Sequence, residues 1–206
     1  MKDAHEKFGQ SDYEIKEREI LYQGKLRLVR LTLRHRLFDG AWGEFFIREI
    51  LERPRASAVL PYDPILDRVI LIEQFRAGAI ADPESPWLIE IPAGLIENPA
   101  ENPETVALRE TEEEAGGKIT NIKLLYEYFV SPGGSNEYIY LFYGEVDASH
   151  IAGIHGLANE HENIRVLNLS AEEAFAKLKN KEIKNAPAIL ALEWLKSNRQ
   201  SLKKNQ

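Results

Sequence analysis

Glutamates are concentrated in one short stretch of the chain, at Glu110, Glu112, Glu113 and Glu114. Because each residue of a helix turns by about 100°, Glu110, Glu113 and Glu114 would share one face and Glu112 would point elsewhere. Like charges at this spacing disfavour a helix by about 0.2–0.5 kcal/mol a pair. A divalent cation would offset the repulsion, and carboxylate oxygens suit Mg²⁺ or Mn²⁺ better than zinc. A solvated acidic helix face is the alternative explanation.

The sequence around these glutamates predicts where their helix begins, ends and packs. Asn102 as N-cap and Pro103 at the first helical position mark its start, and Gly116-Gly117 marks its end. The residues that fall within one buried arc of about 100° are Ala107, Leu108, Thr111 and Ala115. The helix should therefore pack along this stripe and present its carboxylates on a neighbouring face.

The remaining elements indicate an α+β fold in which a helix lies against a sheet. Alternating residues and the turn at Asp39-Gly40 predict a small β meander between Tyr13 and Leu51. Further strands are expected near 69–76, 87–91, 122–130, 137–146 and 164–168. A capping box at 170–173 begins a second helix, and 186–197 is amphipathic enough for a third.

Composition excludes several classes of protein. The 206 residues, 44% hydrophobic and 29% charged, are typical of a globular chain. The absence of cysteine excludes disulfides and thiolate chemistry, and the net charge of −7 argues against general nucleic-acid binding. No apolar run approaches the roughly 20 residues of a membrane span, and residues 1–7 lack the apolar core of a signal peptide. We expect a cytoplasmic protein without membrane contact.

The ordered pattern around the glutamates resembles the Nudix box, Gly-x5-Glu-x7-Arg-Glu-U-x-Glu-Glu-x-Gly-U, where U is a bulky apolar residue. The matching residues are Gly94, Glu101, Arg109-Glu110, Glu113-Glu114 and Gly116. Six residues instead of five separate Gly94 from Glu101, and Thr111 and Gly117 occupy the U positions. An extra loop residue costs little, and the Thr111 methyl can still pack, so we expect a functional box.

The resemblance extends from about Gly24 to Leu195 and is to the bacterial ADP-ribose pyrophosphatase branch of the Nudix hydrolase superfamily. It is carried by the segments 71–76, Pro92-Ala93-Gly94, Ser131-Pro132-Gly133-Gly134 and 155–162. It implies a Nudix fold, a mixed sheet sandwiched by helices, over residues 53–206. Residues 1–52 would be the antiparallel meander, which in this branch forms a homodimer.

The resemblance also implies roles for the box residues. Glu110, Glu114 and the carbonyl of Ala93 would hold Mg²⁺, with Mn²⁺ a possible substitute, and Glu113 would add to the metal cluster. Arg109 would orient these carboxylates through charge-assisted hydrogen bonds. Pyrophosphate hydrolysis needs such an ion, because it neutralises phosphate oxygens and lowers the pKa of bound water. The same cation explains how an acidic protein would bind an anionic substrate.

The general base would come from the polar loop at 156–163. Glu160 aligns with the base of the family, and Glu162 aligns with an accessory carboxylate that could reach a metal. A Glu-x-Glu loop is also common as a merely solvated segment, and the residues alone do not decide between the two glutamates. His161 has a suitable intrinsic pKa for a base but is interpreted as a bystander.

Substrate recognition is less visible in the sequence. Arg76 ends a strand beside the box, where it would contact phosphate. In the resembling branch the meander places an aromatic ring and an arginine over a neighbour's adenine, which favours Trp42 or Phe46 with Arg48. Core packing explains any one aromatic equally well. The turn from Ser131 through Gly133 to Gly134 could direct backbone N–H groups at phosphate or ribose oxygens, with Glu137 in reach.

The function expected from this resemblance is Mg²⁺-dependent hydrolysis of ADP-ribose to AMP and ribose 5-phosphate. The alternative within the same chemistry is another nucleoside diphosphate sugar, GDP-mannose first. A third hypothesis is a non-catalytic Nudix-fold sensor that binds ADP-ribose and regulates transcription. That hypothesis is disfavoured because the box carboxylates are all present and no basic recognition helix is visible.

Overall fold

The computed structural model describes residues 8–204, which form two compact units. The first unit contains residues 8–54 and 129–138, and the second contains 55–128 and 139–204. Residues 1–7, on which the expectation of no signal peptide depends, lie outside the described part of the chain. None of the helices within 8–204 is both long and apolar enough to cross a membrane.

The first unit is built on the predicted meander. Its strands are β1 (Tyr13–Gln23), β2 (Arg27–His35) and β3 (Phe46–Glu52), paired antiparallel in that order. Opposite charges face one another across the strands, for example Arg18 with Glu52 at 2.8 Å. Such exposed pairs add at most about 1 kcal/mol each to the free energy of unfolding. They therefore contribute more to the register of the strands than to stability.

The second unit is built on a mixed eight-stranded sheet. Its strands are β4 (Ala56–Asp63), β5 (Arg68–Phe75), β6 (Trp87–Glu90), β7 (Ala93–Leu95), β8 (Asn121–Phe129), β9 (Tyr138–Glu145), β10 (Ile154–His155) and β11 (Ile164–Ser170). The main order is β10-β11-β5-β4-β9-β8, while β6 pairs with β5 and β7 pairs with β4. The β4–β9 pair is parallel, whereas β5 is antiparallel to β4, β6 and β11.

Three helices cover the two faces of this sheet. They are α1 (Pro103–Ala115), α2 (Ala171–Lys179) and α3 (Ala186–Lys204). On one face, Ile70 and Ile72 of β5 pack with Ala107 and Ala115 of α1. On the other face, the alternate residues of the strands pack with α2 and α3. The predicted α+β class, a mixed sheet between helices, is confirmed.

Local signals set the helix boundaries. The Asn102 side chain accepts a hydrogen bond from Glu104 N at 2.9 Å, and the predicted capping box joins Ser170 to Glu173. Helix α3 continues past the predicted end at residue 197. It does so because Leu202 packs on the core and Arg199 pairs with Asp67, at the turn between β4 and β5.

The extra residue of the box loop is taken up in a tight turn. Glu101 N donates to Asn98 O at 2.8 Å, and Ala100 N donates to the Asn98 side chain at 3.0 Å. The turn therefore satisfies its own polar groups immediately before α1 begins. This arrangement explains why an insertion is tolerated there.

Gly116→Ala should destabilise the protein. Gly116 ends α1 with φ +67°, and an added Cβ would lie 2.5 Å from Cε1 of the His155 ring. Left-handed backbone and this clash together should cost about 2–3 kcal/mol, which lowers Tm by about 4–12 °C at this chain length. The measurement is a thermal melt, with Gly78→Ala as control because no atom lies within 4 Å of its added Cβ. Equal melting of the two variants would contradict the assignment.

Candidate active site

Glu114 lies almost completely inside the protein. Glu114 is 2% exposed, and its Oε2 accepts a hydrogen bond from Ala93 N at 2.8 Å. Ala93 begins strand β7, which is paired with β4 through Ala58. A buried helix carboxylate is thus fixed to the backbone of the sheet that the helix covers.

Glu110 lies one turn earlier on the same face and is close to the next residue of β7. A Cβ on residue 94 would lie 1.9 Å from Glu110 Oε1. Any residue larger than glycine at position 94 would force the Glu110 carboxylate to move. Glu112 is exposed on another side of α1, so the predicted separation of Glu112 from the other three glutamates agrees with the structure.

Arg109 connects two of the carboxylates. Its Nη2 lies 2.8 Å from Glu110 Oε1, and its Nη1 lies 2.9 Å from Glu113 Oε2. The side chains of Glu110 and Glu113 are 12% and 30% exposed. The guanidinium consequently reduces the repulsion between these two charges, while Glu114 is not among its partners.

The two buried glutamates hold their protons more tightly than ordinary carboxyl groups. Burial, opposed by Arg109 and reinforced by Glu113 and the loop glutamates, raises the pKa of Glu110 to about 7. Burial, opposed by the Ala93 N–H and reinforced by Glu110, raises the pKa of Glu114 to about 8. Without a further cation, this pair of carboxylates is costly to ionise.

The oxygen donors of α1 are of the type that hard divalent cations prefer. Glu110, Glu113 and Glu114 offer carboxylate oxygens, which Mg²⁺ prefers, and Gly94 leaves space at Glu110. Within residues 8–204, no three carboxylate or imidazole groups converge closely enough to enclose one ion. Arg109 is the cation that Glu110 and Glu113 share in this arrangement.

The loop that carries Glu160 and Glu162 is anchored to α1. Gly156 N donates to Glu113 O at 3.2 Å. Glu162 is half-buried and its Oε2 accepts from Leu157 N at 3.1 Å. Glu160 is exposed, in a single 3-10 turn that ends at His161 with φ +58°. The charges of both glutamates contribute to raising the pKa of Glu110.

Arg76 is held by a carboxylate that sequence reasoning missed. Its guanidinium binds Glu90 at 2.8–3.2 Å, and Glu90 is 4% exposed. Although burial lowers the pKa of Arg76, hydrogen bonding to Glu90 and the charges of Glu90, Glu114 and Glu162 raise it overall. An acidic residue inside the apolar strand 87–91 was the available signal.

Comparison with known proteins identifies the family. A model of the NUDIX domain matches residues 52–192. The chain belongs to the NUDIX domain family. The ADP-ribose pyrophosphatase of Escherichia coli (strain K12) is 45% identical over 196 residues, covering 95% of this chain and 93% of the relative. The ADP-ribose pyrophosphatase of Haemophilus influenzae is 45% identical over 194 residues, covering 93% of this chain and 89% of the relative. A GDP-mannose pyrophosphatase of Citrobacter koseri is 36% identical over 152 residues, covering 73% and 78%.

The expected resemblance is thereby confirmed, and the NUDIX match includes the whole of α1. Most of the predicted site residues belong to the second unit. They are Arg76, Ala93, Arg109, Glu110, Glu113, Glu114, Glu160 and Glu162. Those in the first unit are Trp42, Arg48, Ser131, Gly133 and Glu137.

Most of the first-unit residues make local contacts. Arg34 and Arg36 both contact the Trp42 ring, with guanidinium carbons 4.8 and 4.5 Å from its centroid. Arg48 is exposed and lies over the ring of Phe46 at 4.6 Å. These rings are stacked on cations within the unit, and their predicted part in base recognition stays a prediction.

The Gly-rich segment forms a compact turn in the same unit. Ser131 O accepts from Gly134 N and Ser135 N at 3.1 and 3.0 Å. Gly133 is exposed at the tip of the turn, and Glu137 pairs with Arg53 at 3.0 Å. The turn geometry that the sequence predicts is present, whereas the role of these residues toward a ligand stays a prediction.

Glu114→Gln should stabilise the metal-free protein, and more so at about pH 9 than at about pH 6. The folded-state pKa of Glu114 is about 8, against about 4.3 in an unfolded chain. The folded state therefore loses stability as pH rises from about 4 to 8, and the amide removes this loss. We expect a higher Tm, by about 2–4 °C for each kcal/mol regained, in thermal melts with chelator. Glu112→Gln is the control, and a wild-type Tm equal to that of Glu114→Gln at about pH 9 would refute the assignment.

Proposed function

We propose that this NUDIX hydrolase cleaves the pyrophosphate bond of ADP-ribose in a Mg²⁺-dependent reaction that gives AMP and ribose 5-phosphate. The observation that carries the chemistry is the pair of buried Glu114, which is hydrogen-bonded to β7, and half-buried Glu110, which lies against Gly94; the pair is costly to ionise without a cation. The substrate is supported by relatives that share 45% identity over nearly the full chain and bear the name ADP-ribose pyrophosphatase.

The alternative substrates have less support. The relatives named GDP-mannose pyrophosphatase are 34–36% identical over about three quarters of the chain. A non-catalytic sensor would not need Glu110, Glu113 and Glu114 together, and all three are present beside Arg109. We therefore place ADP-ribose first and GDP-mannose second.

In the proposed reaction, Glu110, Glu114 and the Ala93 carbonyl would hold Mg²⁺, with Glu113 contributing and Mn²⁺ a possible substitute. When bound, the ion supplies charge neutralisation at the phosphates and acidifies a water molecule. Arg109 keeps Glu110 and Glu113 oriented, and Arg76 binds a phosphate oxygen. Burial of Glu114 excludes competing water from its carboxylate.

We assign the general base to Glu160. The Glu162 carboxylate already accepts a hydrogen bond from Leu157 N inside the loop. Glu160 is exposed, and its carboxylate makes no hydrogen bond with the described residues. Glu160 is therefore free to accept a proton from the attacking water, while Glu162 holds the shape of the loop and adds negative charge near Glu110.

We propose that the first unit supplies the remaining contacts with the substrate. Trp42 and Arg48 would bind the adenine, and Ser131, Gly133 and Glu137 would bind phosphate or ribose oxygens. The meander at 1–52 would form a homodimer, with 53–206 as the hydrolase domain. The cytoplasmic location inferred from the sequence remains a prediction.

The first test is turnover of a panel of nucleoside diphosphate sugars with Mg²⁺. We expect kcat/KM for ADP-ribose to exceed that for GDP-mannose by at least about tenfold, and chelation to abolish turnover. In Glu114→Gln, activity should fall by about 10³-fold or more, whereas the exposed Glu112→Gln should retain it. Equal rates on both sugars would overturn the substrate, and an active Glu114→Gln would overturn the metal site.

A second test separates the two loop glutamates. Glu160→Gln should lower kcat by about 10²–10⁴-fold, the usual contribution of a general base. Glu162→Gln keeps an oxygen that can accept from Leu157 N, so its kcat should fall by no more than about tenfold. Both are measured at saturating Mg²⁺ and ADP-ribose. The reverse order of the two losses would assign the base to Glu162.

A further inference from the structure

Glu90 is an acidic residue in a position that normally holds an apolar one. It ends β6 and lies opposite Ile72 of β5 in the antiparallel register. It is 4% exposed, and a carboxylate so buried is strongly destabilising unless it is paired. The buried charge of Glu90 therefore requires a partner.

Arg76 is the partner of this charge. The Arg76 Nε lies 3.2 Å from both Glu90 oxygens, and Nη2 lies 2.8 Å from Oε2. The remaining nitrogen, Nη1, makes no hydrogen bond with any residue in the range 8–204. The side chain of Arg76 is 43% exposed, in contrast to 5% for Glu90. The pair is thus buried at Glu90, which holds the guanidinium, and exposed at Arg76, whose Nη1 has no partner among the described residues.

The register places the pair on the α1 side of the sheet. Ile72 packs with Ala107 and Ala115 of α1. Side chains alternate along a strand, so Gln74 and Arg76 lie on the same side as Ile72, and Glu90 does so as its cross-strand partner. The box glutamates also lie on this side.

Gln74 is a further buried polar residue on this side of the sheet. It is 5% exposed, and its Nε2 is a buried donor without a hydrogen-bond partner among the described residues. Buried donors without partners are rare and call for an explanation. The donor lies two residues before Arg76 on the same side of the sheet, and almost none of its surface is exposed to a ligand.

We infer that Glu90 is a positioning residue that fixes the guanidinium of Arg76, so that its free Nη1 edge faces an anionic oxygen of the bound diphosphate. The identity of the ligand rests on the proposed function. Glu90 itself does not touch substrate. Its effect should therefore pass entirely through Arg76.

The test is a double-mutant cycle on ligand binding. The probe is ADP-ribose with a methylene group in place of the bridging oxygen, titrated calorimetrically with Mg²⁺ present. We expect Glu90→Gln to weaken binding about tenfold and Arg76→Ala about 100-fold. In the Arg76→Ala background, Glu90→Gln should change the Kd by less than about twofold, because coupled residues are not additive.

In the wild type, the two single variants and the double variant, the changes in Tm should not follow the changes in Kd. Arg76→Ala strands a buried carboxylate and should lower Tm, whereas adding Glu90→Gln should restore Tm without restoring binding. The control is Glu73→Gln, which breaks the ion pair with Arg165 on the opposite face of β5 and should leave the Kd unchanged.

Two results would overturn the inference. One is an additive loss, in which Glu90→Gln weakens binding equally with and without Arg76. The other is an unchanged Kd in Glu90→Gln alone. Wild-type turnover of ADP-ribose is measured separately: tight binding of the probe without turnover would refute the proposed activity and leave the positioning role standing.

Discussion

The carboxylate of Glu114 is held in a nearly dry environment by one backbone N–H group, and the rest of the site is arranged around this constraint. Helix α1 must lie close enough to β7 for Ala93 N to reach Oε2 at 2.8 Å. The same closeness leaves no space for a Cβ at Gly94, where Glu110 lies. A buried acid beside a second acid is unfavourable when both ionise, so the fold retains an electrostatic cost that a divalent cation would relieve.

Much of this arrangement is encoded locally, which is why the sequence predicts it. The Asn102 cap, Pro103 and Gly116 set the bounds of α1 through φ preferences and unsatisfied N–H groups. Helical periodicity then separates Glu112 from the three other glutamates. The meander and the α+β class follow from alternation and turn residues in the same way, whereas the mixed sheet is implied by the resemblance to Nudix hydrolases. The proposed substrate rests on similarity to relatives named ADP-ribose pyrophosphatase, because no residue spacing in this chain specifies it.

The features that the sequence could not give depend on pairing between distant segments. The Glu90–Arg76 pair exists because β5 and β6 are in a register that places Glu90 opposite Ile72. The hydrogen bond of Glu162 to Leu157 depends on the path of the loop between β10 and β11. The depth of burial of Glu114 depends on how closely α1 packs on β4 and β7. Periodicity identifies a face of a helix, but it does not give the distance to the neighbouring strand.

The most direct test of a metal site in the α1 carboxylates is a count of protons released when Mn²⁺ binds. Calorimetric titration at about pH 7, in two buffers with different ionisation enthalpies, gives this number. Because the pKa values of Glu110 and Glu114 are about 7 and 8, we expect about one proton per ion, and a smaller release in Glu114→Gln. Binding of Mn²⁺ without proton release, or with the same release in Glu114→Gln, would contradict the account.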